Sequence, residues 1–280
     1  MLAKRHRITL LIVLAAAAAP AAVRAQGKLD ASYTVTLAGI PIGRGDWTVN
    51  INDTRYTAQA NGTTTGLMRV LTGGQGATTA SGTIADGAVI SSTYLSTITS
   101  NHKTNSVHFS VDAGNVKDTK IEPPEDHDPQ RLPVTDSQRQ GVLDPMSASL
   151  MRTPGTGEPV SPEACKRTLP IFDGRMRYDL QLEYKRMEKV KVDRGYNGPA
   201  VVCAVYFTPL GGYIPSRAAI RYISKMRDME VWLAPIAGTR VLVPVRAEGP
   251  TPIGPVVFEA DKFVSLALPS RASATGSKTQ

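Results

Sequence analysis

Alternation is the feature that most limits what this chain can become. In ASYTVTLAG, Tyr33, Val35 and Leu37 alternate with Ser32, Thr34 and Thr36, and RGDWTVNIN repeats the period with Trp47, Val49 and Ile51. A period of two places one set of side chains on each face of a strand, apolar inward and polar outward. RYTAQANGTTT, GATTASGTI, AVISSTYLSTIT, SVHFSVDAGNVKDTKIE and AVVCAVYFTPL follow at close, even spacing. Such a series predicts an antiparallel meander. Asp86-Gly87, Gly114-Asn115 and Asn197-Gly198 read as its turn dipeptides. The inward residues are often small, and the second face carries few bulky aliphatics. One face is therefore expected to be wet or loosely covered.

Two stretches interrupt the pattern. EPPEDHDPQRLPVTDSQRQG, rich in proline and acid, reads as a long loop. It leads into LDPMSASLM, where Asp144 caps a short helix with Pro145 at its first position. Met146, Leu150 and Met151 would share one face of that helix. RTPGTGEPVSPEA forms a second loop. The strand blocks on either side, 30–122 and 166–268, are expected to join one sheet. GLMRVLTGG places Leu67, Met68, Val70 and Leu71 inside a polar region. Core packing is the default for that cluster, and an exposed apolar edge on a ligand groove is the alternative.

The first residues set the compartment. Lys4, Arg5 and Arg7 precede an apolar run from Ile8 to Ala19, and Val23-Arg24-Ala25 supplies small residues for cleavage. This is the pattern of a secretory signal peptide, with a run too short to cross a bilayer core of ~30 Å. The expected organisation is a signal peptide over 1–25, one domain over 26–268 and a disordered tail over 269–280. Gln26 rather than Cys follows the cut, so no lipid would be attached there. The mature chain would be soluble and periplasmic. Four of the 32 Lys and Arg lie in residues 1–25, leaving 28 against 24 acids, a net +4. No basic cluster with interleaved aromatics remains, which excludes a nucleic-acid partner, and no second membrane span is present. Cys165 and Cys203, paired in an oxidising compartment, predict a structural disulfide.

FDGRMRYDLQLEY concentrates charge. Asp173-Gly174 reads as a two-residue hairpin turn. Beyond it Met176, Tyr178, Leu180, Leu182 and Tyr184 point one way, and Arg175, Arg177, Asp179, Gln181 and Glu183 the other. A strand with one apolar and one charged face accounts for every residue. An arginine clamp for an anionic headgroup is compatible with the same pattern.

Catalytic constellations are missing from the sequence. His102 and His108, six apart on one strand, would lie ~20 Å apart, too far for one metal. EDHDP around His127 reads as a solvated acidic loop. No nucleophile elbow, zinc-protease, P-loop or dinucleotide fingerprint occurs. No cofactor and no enzymatic activity are expected.

Three segments carry a resemblance. YTVTLAGIPIGRGDWTV, DPMSASLM, and FDGRMRYDLQL followed by CAVYFTPLGGY resemble, in that order, motifs of the family of exported proteobacterial proteins called domain of unknown function 3108. The basic YKRMEKVKV after the hairpin departs from the pattern. The family is similar in architecture to the periplasmic lipoprotein carriers LolA and LolB. The resemblance implies a mainly β fold: a large antiparallel curved sheet forming an incomplete, half-open barrel with one or two short covering helices. By analogy only, its concave face would hold a lipid or other amphipathic molecule under a small helical lid. Residues assigned to such a site are Met68, Met146, Leu150, Met151, Met176 and Tyr178, with Arg175 and Arg177 for an anionic headgroup. The alternative is a structural or protein-binding component of the cell envelope with a self-filled core. An unrecognised hydrolase comes third. A solvent-connected apolar cavity above ~300 Å³ separates the first reading from the second.

Overall fold

The computed structural model describes residues 26–269, apart from positions 53, 86 and 126. The first block of strands is β1 (Gly27–Leu37), β2 (Ile40–Asn52), β3 (Arg55–Thr64), β4 (Gln75–Ala85), β5 (Ala88–Ser100), β6 (Lys103–Asp112) and β7 (Asn115–Glu122). The helix α1 (Gly66–Thr72) links β3 to β4. The middle of the chain holds α2 (Pro145–Ala148) and the two-residue β8 (Met151–Arg152). The second block is β9 (Arg167–Phe172), β10 (Arg177–Lys191), β11 (Arg194–Gly195), β12 (Asn197–Gly211), β13 (Glu230–Pro235), β14 (Val241–Thr251) and β15 (Gly254–Ala267). Between β12 and β13 runs α3 (Ala218–Lys225).

All described strands belong to one sheet, ordered β7-β6-β5-β4-β3-β2-β1-β15-β14-β13-β12-β10-β9, with β8 beside β14 and β11 beside β15. Neighbours along this path are antiparallel, and β11 runs parallel to β15. The two blocks join through β1 and β15, whose register runs from Gly27↔Ala267 to Leu37↔Val256. The sheet curls until its ends approach. Phe172 at the end of β9 packs on Phe109 of β6, with ring centroids 5.3 Å apart. Val142 and Leu143 span the remaining gap: Val142 N–H donates to Gly114 O (3.2 Å), and Leu143 N–H donates to Pro170 O (2.8 Å). The result is a half-open barrel, as expected.

Turn chemistry fixes the register. Ala38-Gly39, Asn101-His102 and Ala113-Gly114 all have positive φ at both positions, the twist that two-residue hairpins require. The β6–β7 turn is thus centred one residue before Gly114-Asn115. Asn197-Gly198 lies inside β12, because residues 192–196 make the turn and Val192 N–H closes it on Tyr196 O at 2.8 Å. The Asp173-Gly174 turn is longer than two residues. Phe172 pairs with Arg177, and Asp173 Oδ1 accepts the N–H groups of Arg175 and Met176 at 2.8 and 2.7 Å. That side chain organises a four-residue link that a dipeptide reading misses.

The expected lid helix is a plug. In α2, Asp144 Oδ1 accepts Ser147 N–H at 2.8 Å, the cap that the sequence predicts. The same carboxylate accepts Ser91 Oγ–H at 2.7 Å, and Ser147 Oγ lies 2.5 Å from the Tyr56 hydroxyl. All four residues are buried, with β3 and β5 holding the helix inside the barrel. The wet face is real on β3, where alternate residues are exposed, but β12 and β13 are buried on both faces. The 66–74 segment is not core: α1 is a surface helix with Val70 and Leu71 in solvent.

Because the strands alternate in direction, the β1–β2, β5–β6, β9–β10 and β14–β15 links gather at one end, together with α1 and α3. We call this end the rim.

Candidate functional site

Beside the plug the barrel interior is not filled. A cavity of about 930 Å³ lies among β9, β10, β12–β15, α2 and α3, open on one side. Leu169, Ile171, Tyr178, Leu180 and Leu182 form one wall. Val231, Ala247, Val256 and Phe258 form another, and Ala148 with Met151 closes the floor. The apolar alternation of β10 reaches this wall through Tyr178, Leu180 and Leu182, as its period requires.

The cover is α3. Ala219, Tyr222, Ile223 and Met226 recur at helical spacing and line the cavity. Arg217, Arg221 and Lys225 occupy the opposite side of the turn. The helix starts at Arg217 without a side-chain cap, and none of its residues is fully buried. Its fold therefore depends on the apolar stripe resting over the cavity rather than on local capping. The sequence reading missed this helix. The signal was there, in the three-and-four spacing of Ala219, Tyr222, Ile223 and Met226 after Pro215.

Of the residues assigned from sequence, Tyr178 and Met151 line the cavity. Leu150 is buried in the main core, and Met146 bridges that core and the cluster around Phe109. Met68 is exposed on α1, and Met176 lies in the β9–β10 turn. The two arginines are engaged internally: Arg175 meets Glu125 at 2.8 Å and Arg177 meets Asp179 at 2.6 Å. Burial pushes the Tyr178 hydroxyl well above the ordinary tyrosine range, so it stays protonated as a neutral donor.

Charged groups at the cavity border are similarly committed. Glu230 is paired with Lys185 and, at 2.8 Å, with Arg186. Burial alone would raise its carboxyl, but those hydrogen bonds outweigh it and hold it below the usual range. Glu248 pairs with Arg246 at 2.7 Å. His102 sits in a turn and His108 pairs with Lys120 across β6 and β7, so the two do not share a strand. In the acidic loop Glu125 serves Arg175, Asp128 Oδ1 accepts Gln130 N–H, and position 126 lies outside the described residues. No cluster of three metal-ligating side chains occurs among the described residues.

The far wall is braced by the disulfide. Cys165 joins Cys203 with an S–S length of 2.03 Å, and both residues are completely buried. It ties the turn over Pro162–Cys165 to β12.

A family model for proteins of unknown function, DUF3108, matches residues 32–261, the stretch from β1 through β15 that carries barrel and cavity. The chain belongs to the DUF3108 family. The motifs that carried the resemblance are the β1–β2 hairpin, the α2 plug, the β9–β10 turn and β12 of the DUF3108 barrel. A crystal structure of a beta-barrel-like protein of domain of unknown function DUF1849 from Brucella abortus is similar at 10% identity. It covers 86% of this chain and 98% of that one, with a TM-score of 0.45. No curated protein matches the DUF3108 chain. The likeness to LolA and LolB rests on the sequence resemblance alone. The expected signal peptide over 1–25 and the expected tail beyond position 269 lie outside the described residues, and no described helix is long and apolar enough to cross a membrane.

Proposed function

We propose that this DUF3108 chain is an exported, periplasmic, non-enzymatic protein that binds a lipid or other amphipathic molecule in the half-barrel. The cavity carries this reading. At about 930 Å³ it lies in the size range of small-molecule sites, and its walls are aliphatic and aromatic. An acyl chain suits such walls, because each CH₂ removed from water contributes about 0.8 kcal/mol. The bordering carboxylates, already neutralised by Lys185, Arg186 and Arg246, leave no free charge to oppose an apolar ligand. Export is supported by the N-terminal pattern and by the disulfide.

The test is native mass spectrometry, with lipid extraction, of the chain from Gln26 onward purified from a periplasmic fraction without detergent. An amphiphile should co-purify, and L180D and I223D should each lose it. A clean apo mass that takes up no added fatty acid would sink the reading. The second reading, an envelope protein with a self-filled core, draws on the α2 plug, which fills the other part of the interior. It would take over on that outcome.

A further inference from the structure

The rim is apolar where water should make it polar. Ile40 is 66% exposed, Val70 82%, Leu71 62% and Ile253 71%. Single exposed aliphatics are ordinary surface, but these four sit on adjoining connections. Ala38 N–H donates to Pro255 O at 2.8 Å, which fastens the β1–β2 turn to the β14–β15 turn. Thr65 N–H donates to Ile42 O at 3.0 Å and Asn101 N–H to Thr72 O at 2.7 Å, which adds α1 and the β5–β6 turn to the row. On the other flank α3 shares the cavity lining with Pro250 near the end of β14 and Pro252 of the β14–β15 link.

Cations border these tips. Arg69 lies on α1 and Lys103 follows the β5–β6 turn. Arg217, Arg221, Lys225 and Arg227 stand exposed on and around α3. Among the described residues none of these last four has a carboxylate within ion-pair distance; Arg221 and Arg227 donate to backbone carbonyls instead. Unpaired cations beside protruding aliphatic tips match the layering of an anionic bilayer surface, phosphates outside and acyl chains just beneath.

We propose that the rim docks on an anionic bilayer, with α1 and the β1–β2 and β14–β15 turns dipping into the acyl boundary and the basic side of α3 on the headgroups. For its purpose this rests on the cavity reading: α3 both covers the cavity and faces the bilayer, so an amphiphile passes between them beside one helix.

The experiment is sedimentation of the chain from Gln26 onward with phosphatidylglycerol/phosphatidylcholine vesicles and with pure phosphatidylcholine vesicles. Each is run at low and high salt, alongside uptake of a fluorescent fatty acid in solution. Wild-type protein should sediment with the anionic vesicles and much less with the neutral ones, and salt should weaken binding as it screens beyond ~10 Å. V70D/L71D should lower vesicle partitioning at least tenfold while leaving fatty-acid uptake unchanged, which also shows that the variant is folded. R221E/K225E should lower partitioning at least tenfold on the anionic vesicles and remove the salt dependence. Absence of sedimentation, equal binding to both vesicle types, or wild-type partitioning by both variants overturns the docking proposal. Vesicle binding without fatty-acid uptake upholds docking and removes the cavity reading.

Discussion

Asp144 shows how one residue anchors an interior. Its carboxylate caps α2 and accepts two serine hydroxyls in a buried site. Asp144→Ala should cost about 3 kcal/mol, combining a lost cap with buried donors left unpaired, read as a lower urea midpoint at unchanged slope. Burial raises the Asp144 pKa above the usual range, and burial does the same at Asp173. In the window between the ordinary and raised values the folded state binds more protons than the unfolded one. Stability therefore falls as pH rises through that window. Urea unfolding from pH 4 to 7 should show this decline, and it should be shallower in Asp144→Asn. Gly174 is a second such residue. Its φ is 96°, and a Cβ there would overlap Val107 on β6. Gly174→Ala should destabilise by roughly 2–3 kcal/mol in the same assay. The cap was legible in the sequence because Asp-Pro before an apolar pair is a local signal. The Tyr56 and Ser91 partners were not, since only the closed barrel brings β3 and β5 to α2. The same limit applies to Arg175, whose partner Glu125 lies in a distant loop, whereas Arg177 pairs with Asp179 on the face that the alternation had already given both.

Elements separate along the same line. The strands were legible, because their period of two survives any topology, and so was the join of the two blocks. The helices were legible only in part, for physical reasons: α2 lies where its cap predicts but is short enough to sit inside the barrel rather than over it, and α1 is apolar yet packs on the strand ends. The uncapped, basic α3 was hidden behind a strand-rich pattern. Its weak local support gives a dynamic prediction. In hydrogen exchange, α3 amides should exchange far faster than those of β12 and β13 in the free protein, and should gain protection when fatty acid is added. Fast exchange that ligand leaves unchanged would count against α3 as the cover.

At the scale of the molecule, the buried Cys165–Cys203 link closes a loop with a sequence separation of 38. In the chain-entropy model it stabilises by about 4 kcal/mol. A Cys165→Ser/Cys203→Ser variant should show the thermal midpoint shift that such a loss implies, with reductant having no further effect on it. The half-open barrel was anticipated through the family motifs, whereas the cavity's boundary was not, since its cover is α3. The pairing of β1 with β15 also has a consequence in time. The first described strand has its outer partner in the last, so no closed core can form until β15 is available. The hairpins from β1 to β7 join neighbours in the chain and can form early, so what must wait is the closing of the core. The slowest folding step should be the late arrival of β15 at an edge that β1 has held open throughout.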